Sequence, residues 1–225
     1  MTLNGFDVGG EFDRQAGTLI GKGYHHLAGL GEAEFTALLA PLRATAIERG
    51  GEPEPPAEGS VPFVLVVTRE LAPIAETIAR TTLARKDKPG IIDRNYAEGE
   101  ITDFVATKEV DLPDARAYLL FGIERGEEFC GAVPNDAMAA IAGRGRTLLT
   151  IEEGIALVTQ FPAVLAKNKC FSLGGSRSGD RRVPAIWISQ NAPKLGWCWA
   201  GNPHTWLGMA SATNRAGTLD RPAAD

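Results

Sequence analysis

Apolar residues recur at three- and four-residue spacings over residues 11–21, through Leu19 and Ile20, and over residues 32–49, through Phe35, Leu38, Leu39, Leu42 and Ala46. That period belongs to one face of an α-helix, so the pattern predicts two amphipathic helices joined by GYHHLAGLG. Pro41 lies inside the second pattern and should kink or split it, because proline lacks the amide donor and its ring clashes with the preceding turn. Residues 50–60, GGEPEPPAEGS, hold too much proline, glycine and glutamate to pack, and they read as a solvated linker. The expected organisation is a helical region over 1–49, this linker as the domain boundary, a mixed domain over 61–212 and a mobile tail over 213–225.

Beyond the linker, VPFVLVV is a continuous apolar run of strand length, and residues 72–83 return to helical spacing through Ile74, Ile78 and Leu83. A charged, turn-rich connection containing KDKPG follows, then the short run IIDRNY and the better strand AYLLFGI at 117–123. A short helix led by Pro134 is expected over 135–142. A clearer one follows over 150–161, where Thr150 and Glu153 have capping-box spacing and Pro162 ends it. Acids at Glu152 and Glu153 suit the first turn of that helix, where negative charge favours the dipole.

From Cys170 on, short apolar runs alternate with turn residues: CFSL, GGSRSGD, RRVPAIWIS, QNAPK, LGWCWAG. This is the grammar of antiparallel hairpins. Val183, Ala185, Trp187 and Ser189 fall on one face, Ile186 and Ile188 on the other, and Pro184 argues for an edge or a bulge. The fold class is therefore α+β, an amino-terminal helical hairpin followed by a mixed domain with carboxy-terminal antiparallel strands. The strand–helix alternation over 61–161 leaves a compact α/β core as the alternative.

Composition narrows the function classes. A net charge of −5 and a pI near 5.3 lack the basic field of a nucleic-acid-binding protein. No apolar run approaches a membrane span, and the acidic amino terminus MTLNGFDVGGEFDR does not resemble a secretion signal, so a cytoplasmic location is expected with no membrane partner. Cys130, Cys170 and Cys198 are odd in number and far apart, and a reducing compartment keeps them as thiols.

The candidate chemistry gathers in 170–208, which holds two of the three cysteines, one of the three histidines and all four tryptophans. Cys170, Cys198 and His204 are borderline-soft ligands, but five residues separate Cys198 from His204 and a fourth ligand is missing, so no metal site and no cofactor is assigned. Cys198 and His204, with Asp180 orienting the imidazole, have the composition of a thiolate–imidazole nucleophile. Buried between tryptophans, Cys198 would instead be a small hydrophobe. The loop LGGSRSGDRR offers glycine-freed amides, the hydroxyl of Ser176 and the guanidinium groups of Arg177, Arg181 and Arg182, all means of holding an anion. Trp197, Trp199 and Trp206 could wall a ligand, with Asn202 and His204 at its rim, or simply fill the core. His25 and His26 read as loop residues.

The segments TIEEG at 150–154, GDRRVPAIWIS and GWCWAGNPHTWLG resemble an uncharacterised family of actinobacterial proteins classed only as a domain of unknown function. Weaker similarity runs through EFDRQAGTLIGKGY and PFVLVV, so the resemblance covers nearly the whole chain. It implies no activity, cofactor or catalytic residue. In that family the loop usually reads SRCGDRR, and Ser178 here implies that a cysteine at that place is dispensable. The expected function is a small-molecule binding protein or enzyme that recognises an anionic or polar ligand through 170–208. A non-enzymatic protein-interaction module is the alternative, and no oligomeric state is read.

Overall fold

The computed structural model describes residues 6–50 and 54–218. Helices α1 (Val8–Gly21) and α3 (Glu32–Gly50) flank a single helical turn, α2 (Tyr24–Leu27), which places His25 and His26 in a helix rather than in the expected loop. Pro41 does not split α3. It lies on the exposed face, where water can satisfy the carbonyl it leaves free, while Phe35, Leu39, Leu42 and Ala46 on either side of it are buried against the sheet. Residues 51–53 of the expected linker lie outside the described residues; residues 54–58 are exposed, and a tight turn between Ala57 and Ser60 leads onward.

The strand β1 (Ser60–Val67) shows why VPFVLVV does not alternate. Phe63, Leu65 and Val67 pack under α1 and α3, while Val64 and Val66 join a second cluster on the other face, so both faces are buried. The expected helix over 72–83 is only α4 (Ile74–Ile78). The Thr81 hydroxyl donates back to the Ile78 carbonyl at 2.7 Å and its own carbonyl takes the Gly90 amide, so the chain turns instead of continuing the helix. Short strands β2 (Ile91–Ile92) and β3 (Val105–Ala106) precede β4 (Ala117–Glu124), which pairs antiparallel with β1 over seven registered pairs from Ser60–Glu124 to Val67–Ala117. That antiparallel pairing rules out the α/β alternative, which needs parallel crossovers.

Helix α5 (Pro134–Gly143) and the short strand β5 (Thr147–Leu148) lead to α6 (Ile151–Gln160). The capping box is present: Thr150 Oγ1 accepts the Glu153 amide and Glu153 accepts the Thr150 amide. Glu153 does more than favour a dipole, since its buried carboxylate also pairs with Arg215 and accepts the Tyr118 hydroxyl at 2.9 Å. Nearly every residue of α6 is buried, because the helix is sandwiched between the first sheet and a second one.

The second sheet contains β6 (Cys170–Ser172), β8 (Arg182–Ser189), β9 (Ala192–Trp199) and β10 (Leu207–Met209), in the order β10-β6-β8-β9-β2, while β7 (Ser176–Arg177) pairs with β3. Strand β8 is thus internal, not the edge that Pro184 suggested; Pro184 lies where β6 ends and its carbonyl takes the Leu173 amide. Ala210 alone separates β10 from β11 (Ser211–Ala212), which carries the chain back to the first sheet. The tail expected from Thr213 is instead bonded: β12 (Asn214–Ala216) pairs with β4, while residues 219–225 lie outside the described residues. The layers are α1 with α3, the antiparallel sheet, α6, and the mixed second sheet, an α+β fold.

Candidate functional site

Gly175 and Ser176 of the loop marked for anion binding are tied into the fold. The Gly175 amide donates to Leu149 and its carbonyl accepts Thr107, both at 2.9 Å. A Cβ on Gly175 would come within 2.7–2.8 Å of the Leu148 and Leu149 backbone, so this glycine serves close backbone approach rather than an anion nest. Ser176 Oγ accepts the Ile151 amide at 3.0 Å and so helps cap α6.

The arginines behave similarly. Arg182 Nε donates to Asp180 at 2.6 Å, its Nη1 meets Glu100 at 2.7 Å, and its guanidinium carbon lies 5.2 Å from the Phe104 ring centre and 5.3 Å from that of Trp197. Burial opposes charge on Asp180, but the Arg182 backbone amide and guanidinium outweigh it and hold the carboxyl below its usual range. Arg177 Nη2 donates to the Asp180 carbonyl at 2.8 Å. Arg181 is exposed, with no side-chain partner among the described residues.

Cys198, His204 and Asp180 are not joined by any hydrogen bond among the described residues. Cys198 is buried beside β8, and burial pushes its thiol up to about 11, which keeps it protonated at neutral pH. His204 packs its ring 5.3 Å from that of Trp206. Asn202 and His204 border a hollow of about 10 Å³, room for no more than a water. Among the described residues no three His, Cys, Asp or Glu side chains group closely enough to hold a metal.

The four indoles form two separate pairs. Register in the β8–β9 hairpin sets Arg182 opposite Trp199 and Pro184 opposite Trp197 on one face, with Trp187 opposite Lys194 on the other. Trp197 and Trp199 meet edge-to-face at 4.9 Å, and Trp187 meets Trp206 in the same way at 6.0 Å and 65°. The second pair walls a groove of about 660 Å³.

This groove is where the chemistry converges. Cys170 belongs to its lining and is buried, with its thiol donating to the Ala166 carbonyl at 3.7 Å and held neutral by burial. Leu83 and Ile188 add apolar wall; Asn168, Gln190 and Asn191 add amides and Lys167 a cation. Four non-glycine residues among those described have positive φ: Arg85, Asn168, Gln190 and Asn191. Three of them line the groove as turn residues: Gln190 and Asn191 are the central pair of the two-residue β8–β9 turn, which calls for positive φ, and Asn168 lies in the tight turn between Ala166 and Lys169.

Of the residues lining this groove, the sequence pattern singles out Trp206 and, as a possible metal ligand not assigned, Cys170; it does not single out Trp187, Lys167 or the three amides. Trp187 was legible only as a strand position, and Lys167 and Asn168 lie just before the segment that attracted attention. The two-residue turn Gln190–Asn191 inside QNAPK was the one available signal.

No match was found among curated proteins or among solved structures. The profile of a family of unknown function, DUF5701, matches residues 18–218, a span that takes in both sheets and the whole groove, and the chain belongs to that family.

Proposed function

We propose that this chain is a small-molecule binding protein whose ligand lies against Trp187 and Trp206, in the groove floored by Cys170. The observation that carries this reading is the pair of indoles set at 65° on a groove of about 660 Å³, within the size range of small-molecule sites. Two ring faces at an angle suit a flat group, and the amides of Asn168, Gln190 and Asn191 suit polar substituents around it. The ligand surface is thus the Trp187–Trp206 side of the hairpin, with the Arg182 cluster as its structural support. The reading places the protein in the cytoplasm, where its three thiols stay reduced, and it assigns no reaction.

One observation favours the second reading, a protein-interaction module: Trp199 is 45% exposed and stands near the unpartnered Arg181. A single titration separates the two. Anilinonaphthalene sulfonate should bind and quench tryptophan emission in the parent protein, lose most of its affinity in Trp206→Ala, and bind normally to Trp199→Ala. Affinity that survives Trp206→Ala and disappears in Trp199→Ala would remove the groove as the ligand site.

A further inference from the structure

Resting on the groove reading, we infer that the ligand is an organic anion, and that its charge is read by a basic lip outside the aromatic segment. Lys167 is the only charged residue in the lining, and no ion pair or hydrogen bond engages its side chain among the described residues. Leu83, also in the lining, opens the exposed run Arg85, Lys86, Asp87, Lys88. Lys88 Nζ donates to the Gln190 carbonyl at 2.7 Å, which ties this run to the turn at the other side of the groove. Two cations therefore belong to the groove, Lys167 in its lining and Lys88 on its Gln190 turn, and the exposed Arg85 and Lys86 precede Lys88 in a run that holds one acid, Asp87, in a chain of net charge −5.

Acids near the strands beside the groove are held in ion pairs. Asp93 is held by Lys194 at 2.9 Å on the β9 side, and Glu58 and Glu127 are held by Lys169 at 2.6 and 3.2 Å on the β6 side. An approaching ligand thus meets excess positive charge at the rim and indole faces inside, the arrangement that selects a flat ring bearing a carboxylate, sulfonate or phosphate. Arg177 and Arg182 of the 173–182 loop take no part, because both are bonded to Asp180.

The test compares two probes of the same ring system, anilinonaphthalene sulfonate, which is anionic, and phenylnaphthylamine, which is neutral and more hydrophobic. A merely apolar groove would favour the neutral probe. The expected result is tighter binding of the anion by about tenfold at low salt, with the advantage shrinking as salt is raised. Lys167→Glu should cut the anion's affinity about fivefold or more, on the scale of an exposed charge pair, and leave the neutral probe unchanged. Lys108→Glu, the same charge change away from the groove, should alter neither. Equal affinities, or an anion preference indifferent to Lys167→Glu, would overturn the anion assignment while leaving the indole groove in place. Binding of both probes that is indifferent to Trp206→Ala would overturn the groove itself.

Discussion

Trp187 lies against Gly196 so closely that a Cβ at residue 196 would overlap the indole ring. Gly196 therefore sets one wall of the groove, and its carbonyl, accepting the Tyr96 hydroxyl at 3.0 Å, fixes the strand from the other side. Gly196→Ala should cost about 1–3 kcal/mol, as overpacked sites do, and should push Trp187 out of place. Urea unfolding and the sulfonate probe check both halves. Unchanged stability together with unchanged probe affinity would mean that the indole has somewhere else to go.

The pairing of Trp187 with Trp206 explains what the sequence could and could not tell. Local signals carried the fold: the spacing of Phe35, Leu39, Leu42 and Ala46, the Thr150–Glu153 box and the two-residue turn at Gln190–Asn191 all describe elements that form from neighbouring residues. The site depends on distant pairings. Trp206 reaches Trp187 only because β10 runs parallel to β6, and β6 lies beside β8. Arg182 looked free because its partners Glu100 and Phe104 arrive from a segment about eighty residues earlier. Composition concentrates attention on residues 170–208, but the hairpin's alternation splits its tryptophans onto two faces.

Arg182 is a clasp, and its planar head group is what the clasp requires. Arg182→Lys keeps the charge but loses the fork that spans Asp180 and Glu100 and the stacking on Phe104 and Trp197. A loss of about 1–3 kcal/mol is expected, seen as a lower urea midpoint, with the sulfonate probe still bound. If the variant instead kept full stability and lost the probe, Arg182 would belong to the ligand site after all.

Gln15 acts as a substitute strand at the free edge of β1. Its Nε2 donates to the Phe63 carbonyl at 3.0 Å and its Oε1 accepts the Leu65 amide at 2.7 Å, so the edge is closed where α1 crosses it. Gln15→Met keeps the length and drops both bonds, leaving two buried backbone groups unpaired at about 1–3 kcal/mol each. Hydrogen exchange at Leu65 should quicken and the melting temperature should fall. Native protection of that amide in Gln15→Met would show that the edge is closed by something other than this side chain.

Cys198 gives a pH dependence with a definite sign. Burial raises its thiol from the ordinary value near 9 to about 11, so the folded protein holds a proton that the unfolded chain gives up earlier. The stabilisation from the neutral thiol is complete below pH 9, declines as pH rises from there, and is gone above about 11, at most about 3 kcal/mol in all for a shift of this size. Cys170, raised by burial as well, adds in the same direction. Stability measured from pH 8 to 11 should fall in the parent protein and fall less steeply in Cys198→Ala. The same protonated thiol should resist alkylation by iodoacetamide at pH 7 until the protein is unfolded. Rapid labelling of native Cys198 at neutral pH would mean that the residue is an accessible thiolate, and the nucleophile reading of Cys198 with His204 would then return.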